Sequence, residues 1–96
     1  MNPDEARDKL LECRRHIDRV DLQLVALLNE RARIAEQIGK VKRSHTLPVY
    51  EPKREEEVLR NVLAYNHGPL PPESVRRVFE RIMDEMRTLQ KTRMES

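Results

Sequence analysis

The amino-acid sequence predicts an all-α fold of three helices, the first very long, that associates as a homodimer. Three observations predict it. From Asp4 to Lys42 there is no proline, and the only glycine is Gly39. Apolar residues recur there in steps of three and four, the spacing of one helix face. The helix so written is too long for the rest of the chain to cover. No strand pattern and no internal repeat is visible.

The chain has 96 residues, which we read as one domain spanning residues 1–96. Apolar and charged residues each make up 38%, with Gly at 2 and Trp at 0. That is a helix-rich composition with a thin core, since a chain this short buries only roughly 60–65% of its unfolded surface. Net charge is +2, with basic and acidic residues interleaved, and aromatics are 3%. This argues against a nucleic-acid binder, which presents a segregated basic stripe with stacking rings.

Cys13 is the only cysteine, so an intrachain disulfide is excluded. It lies in an apolar row and reads as a small buried hydrophobe. "MNPDEARDKL" is charged and lacks the apolar core of a secretory signal. No run approaches the ~18 apolar residues that span a bilayer. The expectation is a cytoplasmic protein without membrane attachment.

The first helix starts at Asn2-Pro3-Asp4-Glu5, with proline in the first turn and acids at the positive dipole end. Its apolar residues are Leu10, Cys13, Ile17, Val20, Leu24, Leu27, Leu28, Ile34, Ile38 and Val41, and "SHTLP" ends it. In the second, Pro52 suits the first turn and Glu51 is a tolerable cap. Val58, Leu59, Val62, Leu63 and Tyr65 form its apolar face, and Gly68 falls where a C-terminal glycine is expected. "PLPPESV" breaks the chain again. The third carries Val75, Val78, Phe79, Ile82, Met83, Met86 and Leu89 on its stripe.

A helix of about 40 residues is ~60 Å long. A compact domain of this size has a radius of gyration of only ~12–13 Å. The long helix therefore needs a second copy of the chain.

The seam of that helix carries charge. A row of sevens runs Leu10, Ile17, Leu24, Arg31, Ile38, and the row beside it runs Arg14, Asp21, Leu28, Ala35, Lys42. Single polar residues in a seam can set register, and long basic side chains can snorkel. Three cations on one face without matching acids ask instead for an anionic ligand, because burying unpaired cations is costly. Arg31 and Lys42 are 11 residues apart, close to three turns, so they share a face. Arg14 precedes Arg31 by 17 residues, ~25 Å of rise, so one small ligand cannot touch both within one helix. In an antiparallel-type dimer a second copy's Arg14 can return to Arg31 and Lys42.

Arg14, Glu30-Arg31, "GKVK" at 39–42, "PVYEPKREEEVL" at 48–59 and Gln90, taken in order, resemble the all-helical (type II) chorismate mutases. The resemblance covers the chain from about Leu10 to Gln90. It implies an intertwined helical homodimer with two sites, each borrowing one arginine. It also implies conversion of chorismate to prephenate, an intramolecular Claisen rearrangement that serves aromatic amino-acid biosynthesis and needs no metal, cofactor or nucleophile. A dicarboxylate must be held in a chair-like conformer, and negative charge grows on the ether oxygen as its C–O bond breaks. Cations and preorganised donors answer both needs.

By resemblance, Arg31 and the second copy's Arg14 bind carboxylates. Lys42 and Gln90 donate to the ether oxygen, with Lys42 also near a carboxylate. Glu55 accepts from the ring hydroxyl, Glu51 sits beside it, and Arg54 lines the site. Without the resemblance, "EPKREEE" reads as a charged helix start, and Gln90 as an unremarkable residue of an exposed-looking helix. His16, His45 and His67 share no ligand spacing and read as surface. One position departs from the pattern: some members carry a small hydroxyl residue one turn before the glutamine, where this chain has Met86. The alternatives are an isochorismate pyruvate-lyase of the same fold and a non-catalytic or regulatory dimerisation domain.

Overall fold

The computed structural model describes residues 1–95. Three helices follow in order: α1 (Pro3–Ser44), α2 (Pro52–Tyr65) and α3 (Pro72–Glu95). Among the described residues there is no strand. None of these helices is long and apolar enough to cross a membrane.

Both ends of α1 are written by local chemistry. The Glu5 amide donates to Asn2 Oδ1 at 2.8 Å, and Asn2 Nδ2 donates back to Glu5 Oε1 at 3.0 Å. This reciprocal cap satisfies amides that the helix itself leaves unpaired. At the other end the Leu47 amide donates to the Lys42 carbonyl at 2.8 Å, and the Thr46 amide to that of Arg43 at 3.4 Å. That pair of bonds is a Schellman motif, and it puts Thr46 at φ 54, in the left-handed region.

Pro52 opens α2, as the sequence predicts. Glu51 holds the N-cap position but makes no capping bond with its side chain. Its carboxylate is committed to Lys42 instead, at 2.9 Å. The far end differs from expectation. The helix stops at Tyr65, Asn66 is the extended C-cap, and Gly68 lies beyond it at φ 81. Asn66 organises the exit, accepting from the Gly68 amide at 3.1 Å and donating to the Leu70 carbonyl at 2.9 Å.

The chain divides into two compact units, Met1–Arg31 and Ala32–Ser96. The first is a single helical segment. Its large apolar residues, Leu10 through Leu28, are all exposed, and so is Cys13. The burial expected of Cys13 does not occur within the chain, because a lone helix segment has nothing of its own to pack against. The second unit has a core of Ala35, Val75, Met83 and Met86, with Val58, Leu59, Val62, Leu63, Phe79, Ile82 and Leu89 half-buried around it. Tyr65 is 85% exposed and does not join this face. It lies two residues past Leu63, about 200° around the helix. Val78 is likewise exposed on α3.

Candidate active site

Lys42 is the centre of the second unit's polar interior. It stands in the last turn of α1 and is only 6% exposed. Its ammonium donates to the Val49 carbonyl at 2.8 Å and to Gln90 Oε1 at 3.2 Å, and pairs with Glu51 Oε2 at 2.9 Å. An ammonium has three donors, so each proton has a partner. The Schellman turn makes this possible by folding the 47–51 segment back over the helix end. The negative end of the α1 dipole favours the cation further. Without such partners a buried cation would be several kcal/mol unfavourable.

Gln90 reaches Lys42 because Gly39 lets the two backbones come close. A Cβ at position 39 would lie 3.4 Å from Gln90 Cγ and 3.6 Å from its Cα. Gln90 is 7% exposed, so the exposed setting expected for it is corrected. Met86, one turn earlier on α3, is also buried. On the open side of Lys42 lies a groove of about 410 Å³, walled by Ile34, Ile38, Val41 and Leu47. Glu51 lines it too, with half of its side chain exposed.

Glu55 sits one turn beyond Glu51 and faces a second cleft, of about 570 Å³, between α2 and α3. There Arg87 Nη1 donates to Glu55 Oε2 at 2.5 Å, and Arg87 Nη2 pairs with Asp84. The same guanidinium lies over the Tyr50 ring, 5.3 Å from its centroid.

The structure thus joins Lys42, Gln90 and Glu51 directly, and couples Glu55 to Arg87. Arg54 is exposed, pairs with Glu57 at 2.5 Å and lines neither cavity. Arg14 and Arg31 belong to the other unit, Arg14 exposed and Arg31 half-buried and engaged in an interaction of its own. His16, His45 and His67 are exposed, as expected. Sequence reasoning missed Arg87, Tyr50 and the Val49 carbonyl. Arg87 had a signal: it precedes Gln90 by three residues and so shares its face. Among the described residues no group of three or more His, Cys, Asp or Glu is placed to hold a metal ion.

Chemically, this is a buried ammonium on the wall of an open groove, hydrogen-bonded to a buried amide, with one carboxylate, Glu51, at the groove's rim. Such a set has the chemistry to bind an anion and to donate to an oxygen. Residues 13–91 match the family model described as chorismate mutase type II. The chain belongs to the chorismate mutase type II family. The matched span runs from Cys13 to Lys91 and includes every candidate residue from Arg14 to Gln90.

Similar proteins agree. The bifunctional chorismate mutase/prephenate dehydratase of Neisseria gonorrhoeae is 47% identical over 76 residues, covering 79% of this chain and 20% of that protein. Its namesake from Aquifex aeolicus is 35% identical over 88 residues, covering 88% and 24%. The chain therefore spans a quarter or less of the length of these relatives. A solved chorismate mutase (form II) from Thermus thermophilus superposes with a TM-score of 0.85 at 37% identity, covering 86% of this chain and 94% of that one.

Proposed function

We propose that the chain is a chorismate mutase, converting chorismate to prephenate within a homodimer. The observation that carries this reading is the buried contact between Lys42, which lines the groove, and Gln90, whose amide oxygen accepts from it. Family membership supplies the substrate. The rearrangement breaks the ether C–O bond and forms a C–C bond in one molecule, so the protein's work is conformational and electrostatic. Lys42 and Gln90 donate to the ether oxygen as it gains charge, which stabilises the transition state more than the bound substrate. Lys42 exchanges part of its hold on the half-exposed Glu51 for the ligand. Arg31 and Arg14 of a second copy take the two carboxylates, and Glu55 accepts from the ring hydroxyl. Glu51 and Arg54 complete the rim, Arg54 by swinging in from Glu57.

The bare apolar face of residues 10–28 supports the dimer, since nine large hydrophobic side chains there are exposed in a single chain. Residues 1–96 act as one functional domain in this reading, in the cytoplasm, with no cofactor and no metal.

The test is direct. Purified protein mixed with chorismate should consume its absorbance and yield prephenate. Intact chorismate after prolonged incubation would sink the proposal. Pyruvate released from isochorismate would put the lyase in its place.

A further inference from the structure

The start of α2 is tied to α3 by two rungs. The first is Glu51–Lys42–Gln90. The second is Glu55–Arg87, with Arg87 one turn before Gln90 on the same face of α3. The proposed reaction uses the first rung and only one end of the second. Arg87 itself is unaccounted for.

Its surroundings are specific. The cleft it occupies is also lined by Glu55, Glu56, Glu80 and Asp84, four carboxylates against the cations Arg87 and Lys91. Arg87 gives separate nitrogens to Glu55 and Asp84 and lays its flat face over Tyr50. Only a planar, forked cation does all three at once. Both Arg87 and Glu55 keep about a quarter of their side chains exposed, so the pair is neither fully solvated nor sealed. Tyr50 immediately precedes Glu51, which pairs with Lys42. One guanidinium therefore grips the 50–55 segment at both ends.

We propose that Arg87 is a positioning residue for substrate binding: it anchors the carboxylate of Glu55, the proposed acceptor of the substrate hydroxyl, and steadies the turn that carries Glu51. This rests on the chorismate mutase reading. Without Arg87, Glu55 would face three other carboxylates and turn away from them. A hydrogen bond to a charged group would then be lost from bound substrate and transition state alike. The signature of uniform loss is a raised KM with kcat little changed.

The experiment is steady-state kinetics with chorismate for the wild type, Arg87→Met, Arg87→Lys, Glu55→Gln and the Glu55→Gln/Arg87→Met double variant. Arg87→Met keeps the packing stem and removes the charge. We expect it to raise KM about tenfold, the loss of one charge-assisted hydrogen bond. Arg87→Lys should recover part of that, since a lysine can pair with Glu55 but cannot also fork to Asp84. The double variant should be no worse than Glu55→Gln alone, because Arg87 acts through that carboxylate. A purely structural role would instead lower apparent kcat at constant KM, as folded enzyme is lost, and that result overturns the proposal. Independent, multiplying effects of the two substitutions would overturn it as well. Should Arg87→Met fail to fold, Arg87→Lys carries the same KM-against-kcat comparison. A wild type inert toward chorismate defeats the functional reading itself; an active wild type with an unaltered Arg87→Met variant defeats only this inference.

Discussion

Residues 1–31 and residues 32–96 use the same helix differently: both leave large apolar side chains exposed, Ile34 and Val41 among them, but only the second unit buries any of the helix. In the first unit α1 leaves Ile17, Leu24 and Leu27 each more than half exposed. In the second unit the same helix buries Ala35, Gly39 and even Lys42. A cation is thus better shielded than a row of leucines. Apolar surface left in water forfeits roughly 25 cal/mol per Å², so a helix face of this kind is stable only when something covers it. The second unit uses its limited apolar material to enclose a polar cluster. Burial in this chain is therefore organised around Lys42 and Gln90, and the apolar face of residues 10–28 is surface for association under the proposed dimer.

The largest effect should come from the best buried charge. Under the proposed mechanism Lys42→Ala removes one donor to the developing oxyanion, and it should lower kcat on the order of 10²-fold or more. Glu51 keeps access to solvent, so the fold should survive, with far-UV circular dichroism unchanged. Near-normal turnover would deny Lys42 its role and remove the reason for its burial.

Gln90→Glu changes the same cluster by one atom and one proton. The new carboxylate would stand beside the Lys42 ammonium, and an opposite charge at that range favours the ionised form. An ionised carboxylate cannot donate to the ether oxygen. Activity at neutral pH should therefore fall steeply and then rise as pH drops and the acid is protonated, whereas the wild-type amide donates throughout. A flat pH–rate profile in the variant would take Gln90 away from that oxygen.

A mixing experiment links the two units. Arg14→Ala and Lys42→Ala proteins should each be nearly inactive. If the chain forms the proposed dimer with shared sites, then after joint unfolding and refolding about half of the dimers are mixed, each with one intact and one doubly damaged site, so about a quarter of all sites should recover. Activity that stays at parental level, with mixed dimers demonstrated by mass spectrometry, would show that no arginine crosses between copies.

The fold was legible where pattern and local chemistry agree. Asn2-Pro3, the steps of three and four, and Pro52 each specify a helix or its start through neighbours a few residues away. The exit from α2 was not legible, because Asn66 takes over the role expected of Gly68 through bonds to the turn beyond. Within the site, Lys42 announced itself as a cation in a seam, but its partners did not. The contact with Gln90 spans 48 positions and depends on helix approach, whose only trace in the sequence is the missing side chain of Gly39. Arg87 looked like one more charge on a charged helix; only packing reveals that it is shared by Glu55, Asp84 and Tyr50. Arg54, by contrast, looked like a site residue from its motif and stands paired to Glu57 on the surface.

The smallest effect concerns the turn that lets α1 bury Lys42. Thr46 closes the helix at φ 54, a conformation that β-branched residues rarely adopt. A left-handed L-residue costs roughly 1–2 kcal/mol, and glycine removes that cost while adding about 0.5–1 kcal/mol of chain entropy in the unfolded state. Thr46→Gly should therefore stabilise by up to about 1.5 kcal/mol, which raises Tm by several degrees in a domain of this size. The backbone bonds of the Schellman turn stay, so the Val49 carbonyl keeps its place over Lys42 and chorismate turnover should change little. Because the change lies wholly in the second unit, the dependence of Tm on protein concentration, which reports association, should not move. A lower Tm would mean that the Thr46 side chain contributes more than its backbone conformation costs. A changed concentration dependence would mean that the turn also governs association, and the contrast between the two units would have to be redrawn.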